Sequence, residues 1–285
     1  IVPAFNEEEV IEKVIADLNK YLSQECEIIL VNDGSTDRTA EMAHKAGAMV
    51  LRHPINRGLG AALATGIEGA LLLLSPPPFS SPLDGEERRG GVIITLDADG
   101  QHDGADIPRL IEPIIKGEAE VVIGSRFVHN PSSPPLTFPP KADPPRAERG
   151  GESANVPPLK SGVSVGLRTA ASEVRGGRGS YEMPYSRRIA NLCGNFFTWL
   201  LFGIWVSDSQ SGFRAFSASS AAALRIRTST MEVSSEIIRE ISRLKLKMVE
   251  VSIMVKYNEY SLSKGQGFLK GLETLWKLIV LKFFR

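Results

Sequence analysis

Val92-Ile93-Ile94-Thr95-Leu96-Asp97-Ala98-Asp99-Gly100-Gln101 joins a β-branched, apolar run to two carboxylates one residue apart. The run, Val92 to Leu96, reads as a short buried strand. In an open sheet of parallel strands, ligands bind beyond the carboxyl ends of the strands. Two acidic side chains at such an end can turn toward one cation. A hard divalent ion takes oxygen ligands and keeps positions for water and phosphate oxygens. The turn therefore reads as a cation site facing a diphosphate, where negative charge grows as a leaving group departs. Taken alone, the same pair also fits an acidic loop in front of a helix at Ile107.

The surrounding chain alternates strand and helix. Ile28-Ile29-Leu30-Val31, Ala48 to Leu51, Val121-Val122-Ile123 and Val249 to Val255 read as further strands. Val10, Ile11, Val14, Ile15, Leu18 and Leu22 recur at helical spacing, as do Ile107, Leu110, Ile111, Ile114 and Ile115. Asn6 is placed to cap the first helix, with Glu7, Glu8 and Glu9 in its first turn. Two later stripes, Ile189 to Leu201 and Ile237 to Leu244, are helical too. Short buried strands alternating with helices predict an α/β fold with a mostly parallel sheet covered on both faces. Residues 75–91 and 129–182, rich in Pro, Gly, Ser and Arg, carry no apolar period. They are expected to be disordered insertions in a single domain spanning 1–266.

The bulk properties narrow the classes. A chain of 285 residues, 42% hydrophobic, can bury a real core. Its formal net charge of zero gives no general attraction to polyanions, so nucleic acid is not an expected partner. Cys26 and Cys193 form no metal pattern and, in apolar surroundings, read as buried free thiols in a reducing compartment. The chain opens without Met inside a strand, which predicts that a few residues precede it, and no signal peptide is visible. No run of about 18 clean apolar residues exists. The nearest approach, Leu192 to Val206, is interrupted by Asn195.

Three more loops fall at predicted strand ends. Pro3-Ala4-Phe5-Asn6-Glu7-Glu8 ends the first strand, and Asn32-Asp33-Gly34-Ser35-Thr36-Asp37 ends the second. Both are expected side by side at one edge of the sheet, with Asp33 able to accept from a nucleobase N–H. Either is also an ordinary turn with a helix cap. In Asn56-Arg57-Gly58-Leu59-Gly60-Ala61-Ala62, two glycines before a helix predict close backbone approach and free N–H groups. Leu63 stands where a dinucleotide fingerprint requires glycine or alanine, which argues against a dinucleotide oxidoreductase.

As an ordered set, PAFNEE, VNDGSTD, NRGLGAAL, LDADGQHD, VIGSRF and DSQSGFR resemble the family 2 glycosyltransferases, and within them the polyprenyl- or dolichyl-phosphate sugar synthases. The resemblance covers residues 1–74, 91–128 and 183–285. It implies a GT-A fold, a Rossmann-like sheet with an added acceptor side, and inverting transfer. Pro3, Phe5, Glu7 and Asp33 would hold base and ribose, and Ala4, Gly58 and Ala98 would also contact the nucleotide sugar. Asp97, Asp99 and Gln101 would hold Mg or Mn with the diphosphate of a GDP- or UDP-sugar. Arg126 would face a phosphate, and the Asp208 to Arg214 stretch, with Gln210, would line the sugar and acceptor side. Arg57 stands where the family usually has lysine. The insertion after Phe127 falls where the family places a mobile acceptor loop.

A hydroxyl acceptor needs a base to remove its proton, whereas a lipid phosphate is already an anion. Arg126, Arg214 and Lys264 are the candidate cations for a polyprenyl phosphate, and Asp99, Asp208 and Arg214 the candidate catalytic set. Asp208 stays open between a base, a partner supporting the metal and an arginine's ion-pair partner. His102 reads as a polar neighbour of the metal rather than a ligand. In residues 267–285, Phe268, Leu272, Leu275, Trp276, Ile279 and Phe283 make a wide apolar face beside Lys270, Lys277, Lys282 and Arg285. That pattern predicts a helix lying in the membrane interface. The related synthases often continue into transmembrane helices. A sequence stopping at Arg285 leaves a peripheral enzyme at the cytoplasmic face, or a shortened one. Two alternatives remain: transfer to a polysaccharide or protein, with Asp208 as base, and a catalytically impaired nucleotide-sugar-binding protein.

Overall fold

The computed structural model describes residues 1–23, 25–74, 91–128, 136–137, 185–230 and 232–256. Its first half is β1 (Val2–Ala4), α1 (Ile11–Tyr21), β2 (Ile29–Asp33), α2 (Thr39–Lys45), β3 (Met49–His53), α3 (Leu59–Leu74) and β4 (Val92–Thr95). A single 3-10 turn, Gly104–Asp106, leads into α4 (Ile107–Ile115). Then come β5 (Val121–Ser125), β6 (Leu136–Thr137), α5 (Tyr185–Phe202), β7 (Arg214–Ser217), α6 (Ala218–Ala223), α7 (Val233–Leu244) and β8 (Met248–Ser252).

Strands β1, β2 and β3 pair in parallel, in that order. The second sheet runs β4-β7-β5-β8-β6. Ile1 joins the two: its nitrogen donates to the Ile94 carbonyl at 2.7 Å and its carbonyl accepts from Leu96 N at 3.1 Å. The expected α/β sheet is present, with two antiparallel members that the apolar runs did not announce. β7 lies antiparallel between β4 and β5. The sequence announces no strand here, only a stretch ending at Arg214 expected to line the sugar and acceptor side, because Arg214 and Ser217 frame too short an apolar run. β6 falls inside the stretch 129–182 and pairs antiparallel with β8. The rest of that insertion, residues 75–90 of the other, and the predicted helix over 267–285 lie outside the described residues.

Period-two alternation sends each strand's side chains to two cores. Val2, Leu30, Val122, Ala215 and Val249 pack with Ile11, Ile15, Leu110 and Ile114 of α1 and α4. Ile93, Val121, Ile123 and Phe216 pack on the other face with Leu63, Ile67, Ile237 and Ile241 of α3 and α7. All of this apolar surface leaves water, and at about 25 cal/mol per Å² it supplies the main drive to fold.

Two local expectations are corrected. Asn6 does not cap α1, whose N-cap is Val10 without a side-chain bond. Asn6 sits at φ 53° and turns to the next loop, so the acids Glu7 to Glu9 precede the helix, and Glu12 alone is in its first turn. Cys26 is exposed beyond α1 rather than buried, with its Sγ 3.5 Å from Ser23 Oγ. The side chain of Cys193 lies outside the described set.

Candidate active site

Strands β1, β2, β3 and β4 all deliver their carboxyl ends to one edge, so the loops after them meet there. The first two are stitched together. Asn6 N donates to Ser35 Oγ at 3.0 Å, Glu7 N to Thr39 Oγ1 at 2.8 Å and Glu8 N to Asp37 Oδ2 at 3.2 Å. In return Thr36 N donates to Asn6 Oδ1 at 2.9 Å and Arg38 N to Glu8 Oε2 at 3.0 Å. The two loops thus lie side by side, as expected. Pro3 and Ala4 are buried within β1, while Phe5 projects from its end with 43% of its surface open.

Asp33 is buried at the end of β2 and serves the chain itself. Its Oδ1 meets His53 Nδ1 at 2.7 Å and accepts from Arg57 N at 2.9 Å, while its Oδ2 accepts from Gly58 N at 2.7 Å. The expectation that the glycine loop leaves its amides free is therefore corrected. Gly58 N is held by Asp33, and Gly60 N donates to Ser229 O at 2.9 Å. A Cβ on Gly58 would lie 2.1 Å from Ser229 O, and one on Gly60 would lie 1.9 Å from Thr228 O. These glycines admit the chain's own backbone. The start of α3, where a dinucleotide fold seats its pyrophosphate, is closed by those carbonyls.

At the end of β4, Gly100 at φ 73° turns the chain so that Gln101 folds back on Asp99. Gln101 N donates to Asp99 Oδ1 at 3.0 Å, and its Nε2 donates to Oδ2 at 2.7 Å. Asp97 keeps 42% of its side chain open and lies against Gly212, where an added Cβ would meet Asp97 Oδ1 at 2.3 Å. His102 Nε2 stands 3.3 Å from Asp97 Oδ2, with its ring 4.9 Å from that of Phe213. Its Nδ1 is buried and has no partner among the described residues.

Charge shapes this turn. Desolvation raises the Asp97 carboxyl, but the His102 hydrogen bond and charge, with Arg214 and Arg126 beyond, bring it below the ordinary value. Burial and then the Asp97 charge push Asp99 up to about 6. Two crowded carboxylates with hard oxygens suit a divalent cation. No group of three or more His, Cys, Asp or Glu able to hold a metal occurs among the described residues.

Opposite, β5 ends in Ser125, and Arg126 follows it. Arg126 grips Asp208 with Nε on Oδ2 and Nη2 on Oδ1, both at 2.7 Å, and its backbone N reaches Oδ2 at 3.2 Å. Of the three readings of Asp208, the structure shows the ion pair. Arg214 is buried at the start of β7, with Nη2 on Ser209 O at 3.0 Å and Nε without a partner among the described residues. Burial lowers its pKa to about 10 against the opposing pull of Asp97 and Asp208. Gln210 is half-buried beside them, while Lys264 lies outside the described residues.

Three supporting residues escaped the sequence reading. Asn195 of α5 accepts from Ser209 N at 3.0 Å and donates to Ser207 O at 2.5 Å. Glu250 of β8, wholly buried, accepts from Ser207 N and Oγ at 2.9 and 2.8 Å and from Asp208 N at 3.3 Å. His53 orients Asp33. The one available signal was polarity in apolar company: Asn195 breaks an apolar helix stripe, and Glu250 breaks a strand.

The chain is similar to several known proteins. An uncharacterized protein of Methanocaldococcus jannaschii is 34% identical over all of this chain and 91% of its own length. The UDP-N-acetylglucosamine–dolichyl-phosphate N-acetylglucosaminyltransferase of Methanococcus voltae is 29% identical over 99% of this chain and 94% of its own. Among solved structures, the glucosyl-3-phosphoglycerate synthase of Mycobacterium tuberculosis in complex with Mn2+ and uridine-diphosphate-glucose superposes with a TM-score of 0.58 at 18% identity. It covers 98% of this chain and 75% of that one, and shares the GT-A fold. The profile of Glycosyl transferase family 2 matches residues 1–71 and 86–176. With the stitched loops at one sheet edge and the acidic turn beside them, the chain belongs to glycosyl transferase family 2 and is a glycosyltransferase.

Proposed function

We propose that the enzyme transfers a sugar, with inversion, from a nucleoside diphosphate to a polyprenyl or dolichyl phosphate at the cytoplasmic face of a membrane. The observation that carries the acceptor is the state of Asp208. A hydroxyl acceptor requires a base, and Asp208, the carboxylate nearest the sugar side, is wholly buried and clasped by Arg126. A phosphate monoester needs cations instead, and Arg126 and Arg214 stand there. The Methanococcus voltae relative, named for a UDP-sugar and a dolichyl phosphate, supports the same acceptor and favours UDP over GDP.

At the β1 and β2 ends, Phe5 and Glu7, beside the loop that the buried Asp33 braces, take the base and ribose side. Asp97 and Asp99, with Gln101 bracing Asp99, hold the divalent cation. Bound there, Mg2+ or Mn2+ would neutralise charge on the departing diphosphate. Arg126 and Arg214 orient the acceptor phosphate. Its oxygen forms the new bond to the anomeric carbon while the bond to the diphosphate breaks, leaving a nucleoside diphosphate.

The membrane reading rests on α5. Leu192, Phe196, Trp199, Leu200 and, just beyond the helix, Trp205 are exposed, and Trp199 packs tilted against Phe196 at 5.9 Å and edge-on against Trp205 at 6.3 Å. Aromatic rings with flanking polar groups favour the membrane–water interface. No helix among the described residues is long and apolar enough to cross a membrane. The same helix holds the Asp208 loop through Asn195, so a surface-bound α5 would bring that loop to a lipid headgroup.

The test offers labelled UDP-sugars with Mn2+ to vesicles containing polyprenyl phosphate, or to soluble oligosaccharides, followed by solvent extraction. Label in the organic phase with the wild type, and none with Asp97→Ala or Asp99→Ala, is expected. Label moving to the oligosaccharide alone would reverse the acceptor assignment.

A further inference from the structure

We propose that Glu236, remote from the acidic turn in sequence, is a positioning residue for the nucleotide side of the site. The inference rests on the reading that the Asp33 edge receives the nucleotide. Glu236 lies in the first turn of α7 and is wholly buried. Its Oε2 accepts three bonds, from Arg227 N at 3.0 Å, Thr228 N at 2.9 Å and Thr228 Oγ1 at 2.6 Å. Its Oε1 is buried without a hydrogen-bond partner among the described residues. Helix α7 fills its inward face with Ile237, Ile238 and Ile241, so an apolar residue would suit that burial better. A buried carboxylate is costly unless hydrogen bonds offset it. The bonds it makes all fix one segment, 227–228.

That segment is the seat of the glycine loop. Thr228 O and Ser229 O lie where a Cβ on Gly60 or Gly58 would be, and Ser229 O accepts from Gly60 N at 2.9 Å. The neighbouring amides of Arg57 and Gly58 then hold both oxygens of Asp33. Glu236 thus reaches Asp33 through two rigid backbone contacts: 227–229 against 58–60, and 57–58 against the carboxylate. Gly58 and Gly60 leave no slack in this chain, since the backbones already touch. A group that places a binding edge without meeting the reacting atoms acts equally on ground and transition states. Its loss therefore raises KM and leaves kcat.

The test compares wild type, Glu236→Ala, Glu236→Gln and Thr228→Val in calorimetric binding of UDP with Mn2+, and in turnover. Glu236→Ala is expected to weaken UDP binding and raise the nucleotide-sugar KM by about tenfold, with kcat little changed. Glu236→Gln keeps a carbonyl to accept the three bonds and should restore both. Thr228→Val removes one hydroxyl bond at nearly constant volume and should give a smaller rise in the same direction. Should Glu236→Ala fail to fold, the Thr228→Val and Glu236→Gln pair decides. Wild-type affinity in a folded Glu236→Ala, a loss confined to kcat, or a Glu236→Gln protein as weak as the alanine variant overturns the proposal. No UDP binding by the wild type overturns the nucleotide reading itself, which is a separate outcome.

Discussion

Arg126 and Asp208 face each other as a two-pronged pair, Nε to Oδ2 and Nη2 to Oδ1, both at 2.7 Å, although 82 residues separate them. Asp208 is fully enclosed and Arg126 is 22% open. The pair joins the end of β5 to the loop before β7.

Arg126→Met strands a buried carboxylate, and breaking such a pair costs about 3–5 kcal/mol. Urea unfolding at pH 7 should show a loss of that order. Arg126→Lys keeps the charge but cannot make the planar fork, so its stability should fall between the two, with turnover well below wild type. Wild-type stability in Arg126→Met would mean that the pair contributes nothing.

The glycine loop allows a paired comparison. Gly117, at φ 71°, has open space around a would-be Cβ, so Gly117→Ala should cost only the backbone preference, about 1–2 kcal/mol. Gly60→Ala drives a methyl into the Thr228 carbonyl and should cost more, about 1–3 kcal/mol from overpacking, together with weakened UDP binding. Thermal unfolding and calorimetry read the two effects. Equal UDP affinity in both variants would contradict the contact.

Burial raises the pKa of Glu250 above the ordinary glutamate value, and its bonds from Ser207 and Asp208 N offset only part of that. The folded protein therefore holds this proton more tightly than the unfolded chain does. The resulting contribution to stability is complete below the unfolded value, about 4.3, and is lost as pH rises through the raised folded pKa. Glu250→Gln does not titrate. Its stability relative to wild type should improve from pH 4 upward across that window, as measured by denaturant unfolding at each pH. A constant difference would show that Glu250 titrates normally.

Asn195 links α5 to residues 207–209 by accepting from Ser209 and donating to Ser207 O. Asn195→Leu leaves buried backbone groups unpaired, at about 1–3 kcal/mol. The loop carrying Asp208 should loosen, so turnover should fall further than UDP binding. Unchanged turnover in the folded variant would remove Asn195 from the acceptor side.

Chelation offers a reversible check on the acidic turn. EDTA should abolish transfer, and added Mn2+ or Mg2+ should restore it without refolding, since Asp97 and Asp99 sit on a turn built by Gly100 and Gln101 rather than by the ion. Full activity in EDTA would exclude the cation role.

The alternation of strand and helix, the acidic turn at a strand end and the pairing of the first two loops were legible in the sequence. Each depends on periodicity or on residues within one turn, which local sterics and burial determine. The partners of the site residues were not legible. Asp33 looked free to meet a base, yet the fold turns it to His53, Arg57 and Gly58. The glycines looked open, yet Thr228 and Ser229 occupy their faces. β7 was hidden because it enters between β4 and β5 from far along the chain. Which donor meets which acceptor is set by how elements pack in space, because a buried polar group pairs with whatever the fold brings to it. Local pattern carries no record of that choice.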